Sequence, residues 1–169
     1  MLFRSPHNGG FKEHDMTLAE FQNILPSDFL KQIEEIWFNG NYGDFIMNPQ
    51  GVEIVEYVRS ANKTVDIKVS TNGSARNNNY WQRLGRTGVK VYFCLDGLAD
   101  THSIYRQDTV FETIVKNAQT FKKAGGMAYW QYTIFEHNKH QIEQARDLAY
   151  CLGFDEFVTR PNNRSHRPV

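Results

Sequence analysis

The sequence has 169 residues, which is the size of one domain and too short for a complete eight-unit barrel of roughly 250 residues. Its 19 Lys and Arg residues balance 19 Asp and Glu residues, so charge gives no support to binding of nucleic acid or an anionic membrane. Two cysteines without pair spacing, and the lack of a long apolar run, argue against a disulfide scaffold and a spanning helix and favour a soluble, cytoplasmic protein.

The first elements in chain order are a helix, a strand and a second helix. "TLAEFQNIL" predicts a short helix that begins with a capping box of Thr17 and Glu20. Residues 34–40, "EEIWFNG", predict a buried strand. "NPQGVEIVEYVRSA" then predicts a helix with Asn48 as its cap and Pro49 in its first turn.

The middle of the chain repeats this alternation of strand and helix. Residues 65–73 predict a strand that ends near Ser70, and residues 79–88 predict a short helix stopped by glycine. Residues 89–97, "VKVYFCLDG", are almost continuously apolar at first, which is typical of a buried parallel strand.

The last third continues the same pattern. "TVFETIVKNAQTFKKAGG" predicts a helix with a capping box of Thr109 and Glu112. Residues 128–135 predict a strand, Asn138 is interpreted as the cap of the next helix, and residues 154–160 predict a final strand. Strands that alternate with helices predict an α/β fold with a parallel sheet.

Four turns follow predicted strands and are rich in Gly, Asn and Asp. In parallel α/β folds, ligands bind beyond the carboxyl ends of the strands, so these turns are the candidate site. They are "NGNYGD" (39–44), "STNGS" (70–74), "CLDGLADTHSIYR" (94–106) and "FEHN" (135–138).

Individual residues in these turns each allow a functional and a structural interpretation. Gly40 and Gly43 would let the backbone approach a ligand, or would only serve the turn. Asn72 and Asp96 would bind hydroxyl or amine groups, or would only supply Asn-Gly and Asp-Gly turns. Arg106 would hold a ligand carboxylate, or would form a surface ion pair.

Two further groups of side chains are interpreted as structural. His137 and His140 have a spacing that a metal ion can use, but no third ligand matches them, so we predict a solvated helix end and no metal site. The tryptophans, Trp37, Trp81 and Trp130, are interpreted as core residues rather than as a substrate platform.

Taken together, "FNGNYGDFIMNP", "STNGS", "VYFCLDGLADTHSIYR" and "GGMAYWQYTIFEHNKHQIEQARDLAYCLGF" resemble the radical SAM superfamily, in the branch that often carries an additional iron–sulfur domain of the SPASM or twitch type. The likeness runs from about residue 17 to residue 160. It implies a partial (β/α)₆ barrel of the TIM-like kind, which agrees with the length of the chain.

The resemblance also implies which residues bind S-adenosylmethionine (SAM). The glycine-rich turn of the family holds the amino group of the methionine moiety through its backbone, and the later turns face cofactor or substrate. The matching residues are Gly40, Asn41, Tyr42, Gly43, Asp44, Asn72, Asp96 and Arg106.

The family uses a [4Fe–4S] cluster held by a CxxxCxxC loop, which converts SAM into a 5′-deoxyadenosyl radical for hydrogen abstraction. This sequence has no such motif, and Cys94 and Cys151 cannot replace it. We therefore expect a barrel over residues 1–160 that lacks its first strand and cluster loop, followed by a basic tail at 161–169. We expect the chain alone to be inactive.

The sequence is also compatible with two other functions. One is a non-catalytic module of the same fold that binds SAM, a nucleotide or a protein partner. Another is an unrelated α/β enzyme that binds phosphate with "STNGS" at a helix start. The expected partners are a small-molecule or peptide substrate, and a partner chain or missing segment at the exposed edge of the sheet.

Overall fold

A computed structural model describes residues 14–40 and 43–162. Within these residues, strands and helices alternate as predicted. The strands are β1 (Glu35–Phe38), β2 (Asp66–Thr71), β3 (Lys90–Cys94), β4 (Met127–Ile134) and β5 (Glu156–Pro161). The α-helices are α1 (Leu18–Ile24), α2 (Ser27–Leu30), α3 (Gly51–Ala61), α4 (Asn78–Gly85), α5 (His102–Tyr105), α6 (Phe111–Lys123) and α7 (Ile142–Cys151).

The strands form one sheet in the order β1-β2-β3-β4-β5, and every neighbouring pair is parallel. This confirms the predicted α/β fold with a parallel sheet. A contact between the two outer strands shows that the sheet is strongly curled. The guanidinium of Arg160 on β5 lies 5.8 Å from the ring centre of Trp37 on β1. In a flat sheet the two outer strands would lie about 19 Å apart. The curl gives the sheet the shape of a partial barrel.

The core lies between the convex face of the sheet and the helices. Along each strand, alternate residues point to this face and are buried, as Val69 on β2 and Phe93 on β3 illustrate. Trp81 and Trp130 are fully buried there, as predicted. Trp37 is different, because it is half-buried and lies on the concave face of the sheet.

The first predicted helix start is confirmed at α1. The Glu20 backbone N–H donates to Thr17 Oγ1 at 3.2 Å, and the Thr17 backbone N–H donates to Glu20 Oε2 at 2.8 Å. These reciprocal bonds satisfy two backbone donors that the helix itself leaves free.

The predicted start of α3 is wrong by two residues, because the cap position is Gln50 and not Asn48. The helix begins at Gly51, after a 3₁₀ helix over Phe45–Met47. The side chain of Asn48 accepts from the Gln50 backbone N–H and donates to the Met16 carbonyl, both at 2.8 Å. Asn48 therefore links the chain to the segment before α1 instead of capping the helix.

The predicted capping box of Thr109 and Glu112 is also wrong. Helix α6 starts at Phe111, and no side chain caps it. The Thr109 hydroxyl donates to the Arg106 carbonyl at 2.7 Å and lies 2.9 Å from His102 Nε2. These tertiary contacts fix Thr109 before the helix begins.

The end of the chain departs from the prediction in one respect. Helix α7 begins at Ile142, after a 3₁₀ helix over Lys139–Gln141, so Asn138 does not cap it. Most of the predicted basic tail, residues 163–169, lies outside the described residues, and the division at residue 160 stays a prediction. No helix in the described ranges is long and apolar enough to cross a membrane.

Candidate functional site

The four turns singled out from the sequence lie at one edge of the sheet, because all the strands run in the same direction. We call this edge the carboxyl edge, and it consists of residues 39–40, 43–44, 70–74, 94–106 and 135–138.

The turn after β1 folds back on itself at Gly40. A Cβ at this position would lie 1.7 Å from the Gly43 carbonyl oxygen, so only glycine permits the observed backbone. Asp44 follows, and its Oδ1 accepts from the Ile46 backbone N–H at 3.2 Å. Asn41 and Tyr42, the other predicted residues of this turn, lie outside the described residues.

The turn after β2 is tied to the first turn. The Asn72 backbone N–H donates to Asp44 Oδ2 at 2.7 Å. The Asn72 side-chain oxygen accepts from the Ser74 backbone N–H at 2.9 Å and the Ser74 hydroxyl at 2.6 Å. The side-chain nitrogen of Asn72 has no hydrogen-bond partner among the described residues, so it remains able to donate to a ligand.

The turn after β3 is built around a buried carboxylate. Asp96 is fully buried, and it accepts from the Thr133 backbone N–H and from Arg106 Nε, each at 2.6 Å. Arg106 therefore does form an ion pair, but with a buried partner rather than at the surface. Burial opposes the charge of Arg106, yet the carboxylate of Asp96 beside it holds the pKa of the guanidinium above its ordinary value.

Cys94 lies between these turns. Burial raises the pKa of its thiol to about 11, so the side chain is a neutral thiol near pH 7. Asp44, Asp96 and Arg106 are all close enough to act on this thiol electrostatically. With Asn72 bonded to Asp44, the structure brings four of the predicted site residues together.

Asn138 is a structural residue of this edge and not the cap of α7 that its sequence position predicted. It is fully buried, its Oδ1 accepts from the Phe135 backbone N–H, and its Nδ2 donates to the carbonyls of Asp96 and Thr133. It thereby joins the turns after β3 and β4. Its position before a helical pattern indicated a cap, and nothing local in the sequence indicated these distant partners.

His102 lies in the same turn after β3, and it is only 1% exposed. Its Nδ1 is buried and has no hydrogen-bond partner among residues 14–40 and 43–162, whereas its Nε2 contacts Thr109. Burial lowers the pKa of this imidazole to about 4. His102 is therefore neutral near pH 7, and it packs beneath the turn that carries Asp96 and Arg106.

The part of the chain that the structure describes contains no group of three or more His, Cys, Asp or Glu side chains that would hold a metal ion. His137 stacks on Phe135 with ring centres 5.3 Å apart, and His140 is exposed. The two thiols are also separated, because Cys94 ends a strand of the sheet and Cys151 is exposed at the end of α7. They do not fit the three-thiolate site of an iron–sulfur cluster.

No protein-family model matches the sequence, and no curated protein matches it. Solved structures of radical SAM enzymes nevertheless share its fold. Streptococcus suis SuiB, solved with its precursor peptide SuiA, has a TM-score of 0.76 and 12% identity over 91% of this chain and 34% of SuiB.

Two other structures give similar values. The enzyme anSMEcpe, solved with bound S-adenosylmethionine, has a TM-score of 0.69 and 15% identity over 93% of this chain and 44% of its own. Methylornithine synthase (PylB) has a TM-score of 0.67 and 12% identity over 89% of this chain and 45% of its own. The fold thus matches the partial barrel core of radical SAM structures, and the chain spans less than half the length of each of these proteins.

Proposed function

We propose that this chain binds SAM at its carboxyl edge and is the barrel core of a radical SAM-type enzyme. The observation that carries the proposal is the convergence of Asp44, Asn72, Asp96 and Arg106 around Cys94. The shared fold of SuiB and anSMEcpe, both solved with bound S-adenosylmethionine, supports it.

In this proposal, the turn of Gly40 to Asp44, including Asn41 and Tyr42, receives the methionine amino group through backbone carbonyls. Asp44 links this turn to the turn of Asn72, because its Oδ2 accepts from the Asn72 backbone N–H while its Oδ1 accepts from the Ile46 backbone N–H just after the turn. The free side-chain nitrogen of Asn72 then faces the ligand.

Arg106 is the proposed contact for the methionine carboxylate. Among the described residues its guanidinium uses only Nε in hydrogen bonding, so both Nη groups remain to bind two carboxylate oxygens. Asp96 acts through Arg106 as a positioning residue, because its own oxygens are already occupied.

This sequence does not supply the ligands of an iron–sulfur cluster, because it contains two cysteines and no CxxxCxxC motif. When bound, a [4Fe–4S] cluster supplies the electron that cleaves SAM. We propose that its ligands come from outside these 169 residues, and that the substrate is a peptide or small molecule. A partner segment would pair with the outer edge of β1, which pairs with no other strand in the described residues.

The lack of three thiolates also favours a second candidate, a non-catalytic module that binds SAM or a nucleotide without redox chemistry. SAM binding by protein free of iron and acid-labile sulfide, with no SAM cleavage by the natural complex, would favour this candidate.

Replacing Gly40 with alanine tests the proposed SAM site. The new Cβ would overlap the Gly43 carbonyl, so the turn must open. We expect SAM affinity, measured by isothermal titration calorimetry, to fall by at least about tenfold, which is about 1.4 kcal/mol.

Gly88→Ala is the matched control. Gly88 precedes β3 and therefore lies at the edge of the sheet opposite the carboxyl edge. Its φ is +67°, so alanine strains the backbone there, but the new Cβ would clash with no atom. We expect its SAM affinity to equal that of the unmodified protein. Equal affinity in Gly40→Ala would refute the assignment of this turn.

A further inference from the structure

The turn after β2, which carries the proposed SAM contact Asn72, is bonded to the rest of the protein on two sides. On one side, Asp44 Oδ2 accepts from the Asn72 backbone N–H at 2.7 Å. On the other side, the Gly73 carbonyl accepts from Asn117 Nδ2 at 2.9 Å. Asn117 is 44 residues further along the chain, on α6. A helix outside the carboxyl edge therefore holds this turn.

Asn117 is an unusual residue for the face of α6 on which it lies. It is only 4% exposed, and the other buried side chains of this helix are those of Ile114, Ala118 and Phe121. Asparagine is a poor helix former, and a buried side-chain amide without a partner would lower stability. The Gly73 carbonyl is the partner of this amide. Asn117 thus serves the turn that it binds and not the helix that carries it.

The backbone of the turn packs directly against α6 and β3. Gly73 has φ +69°, and a Cβ at this position would lie 2.6 Å from the Phe93 ring and 3.0 Å from the Ile114 side chain. The carbonyl of Gly73 is buried in this contact, and a buried backbone carbonyl needs a hydrogen-bond donor. Asn117 supplies that donor.

The position of Gly73 determines the position of the Asn72 side chain. Asn72 Oδ1 accepts from the Ser74 backbone N–H and hydroxyl, so the residues on both sides of Gly73 are bonded to each other. If the Gly73 carbonyl lost its donor, Asn72 and Ser74 would move together. Asn72 Nδ2, which has no partner in the described part of the chain, would move with them.

We propose that Asn117 is a positioning residue of the SAM site, which sets the affinity for SAM by fixing the Asn72 turn through the Gly73 carbonyl. Asn117 acts through Asn72 and does not itself contact the ligand. This role rests on the proposed function, because Asn72 is a SAM contact only if SAM binds at the carboxyl edge.

Replacing Asn117 with leucine removes the donor and keeps a side chain of similar volume. We expect SAM affinity, measured by isothermal titration calorimetry, to fall by about fivefold or more, because the turn is no longer held in the binding position. In ¹⁵N NMR spectra recorded without SAM, we expect shifted backbone amide signals for Asn72, Gly73 and Ser74.

Asn62→Leu is the matched control. Asn62 Nδ2 also donates to two backbone carbonyls, those of Leu30 and Ile33, each at 3.0 Å, but Asn62 precedes β2 at the opposite edge of the sheet. We expect both variants to unfold at lower urea concentration, and only Asn117→Leu to bind SAM more weakly. A merely structural Asn117 would lower the urea midpoint without changing SAM affinity.

The possible outcomes separate this inference from the proposed function. Unchanged SAM affinity in Asn117→Leu, or an equal loss in Asn62→Leu, would overturn the role of Asn117 and leave the proposed function in place. Absence of SAM binding by the unmodified protein would overturn the proposed function and this role with it.

The unmodified protein gives a second test, which decides the matter if Asn117→Leu does not fold. Saturation with SAM should shift the side-chain amide signal of Asn117 and leave that of Asn62 unchanged. An Asn117 signal that does not respond to bound SAM would overturn the inference.

Discussion

Replacing Asp96 with alanine is expected to lower the free energy of unfolding by about 3 kcal/mol, a large share of the stability of a domain of this size. The variant removes the partner of Arg106 and leaves the Thr133 backbone N–H without its acceptor. We place the loss at the low end of the range for buried ion pairs, because the Arg106 side chain is 23% exposed. This loss is measured by urea unfolding, with circular dichroism as the signal.

Asp155→Ala is the matched control for this prediction. Asp155 also accepts a backbone N–H of β4, that of Ala128, and also pairs with a cation, Lys122, but its side chain is 33% exposed. Solvent screening limits such a pair to about 1 kcal/mol or less. If Asp96→Ala lost no more stability than Asp155→Ala, the buried pair would not organise the carboxyl edge.

Acidification from pH 7.5 to pH 5 is expected to reduce the free energy of unfolding by about 2 kcal/mol through His102 alone. Its pKa is about 4 in the folded protein and near 6.5 in the unfolded chain. Between these values the unfolded chain binds a proton that the folded protein excludes. Stability is therefore present above about pH 6.5 and is lost as the pH falls toward 4.

His102→Gln should remove most of this loss, while His14→Gln should retain it, because His14 is exposed. The range from pH 7.5 to pH 5 isolates the effect of His102 from that of the carboxylates. Carboxylates with lowered pKa, such as Asp66, change the free energy of unfolding mainly below pH 5. The measurement is the urea concentration at the midpoint of unfolding, at pH 7.5 and at pH 5, for both variants and the unmodified protein. An equal decrease in His102→Gln and the unmodified protein would contradict the burial of a neutral imidazole.

The fold was predictable because its signals are local. The apolar run of β3 and the helical spacing of apolar residues in α6 are each contained in fewer than twenty residues. The capping box of Thr17 and Glu20 is likewise local, and it forms as predicted. Where strands and helices alternate in this way, the parallel sheet follows from topology.

The details of the site were less predictable because they depend on distant partners. Asp96 and Arg106 were both singled out, but their pairing depends on the turn at His102–Tyr105, which the sequence did not indicate as a helix. Asn138 was expected to cap a helix because it stands before one, yet Asp96 and Thr133 occupy its side chain.

The position of Trp37 on the concave face was also not predictable from the sequence. Strand periodicity assigns residues to two faces, but it does not identify which face the helices cover. The structure places Trp37 on the uncovered face, next to Arg160 from the far end of the chain. That contact arises from the curl of the sheet, which no local pattern specifies.

The most direct test of the proposed SAM site is an NMR titration of the uniformly ¹⁵N-labelled protein with SAM. We predict saturable shift changes in backbone amides of the carboxyl edge, including Gly43, Asn72 and Arg106, and none at Gly88 on the opposite edge. No saturable change, or changes confined to the cavity of about 480 Å³ lined by Glu53, Tyr80 and other residues of α3 and α4, would contradict the account.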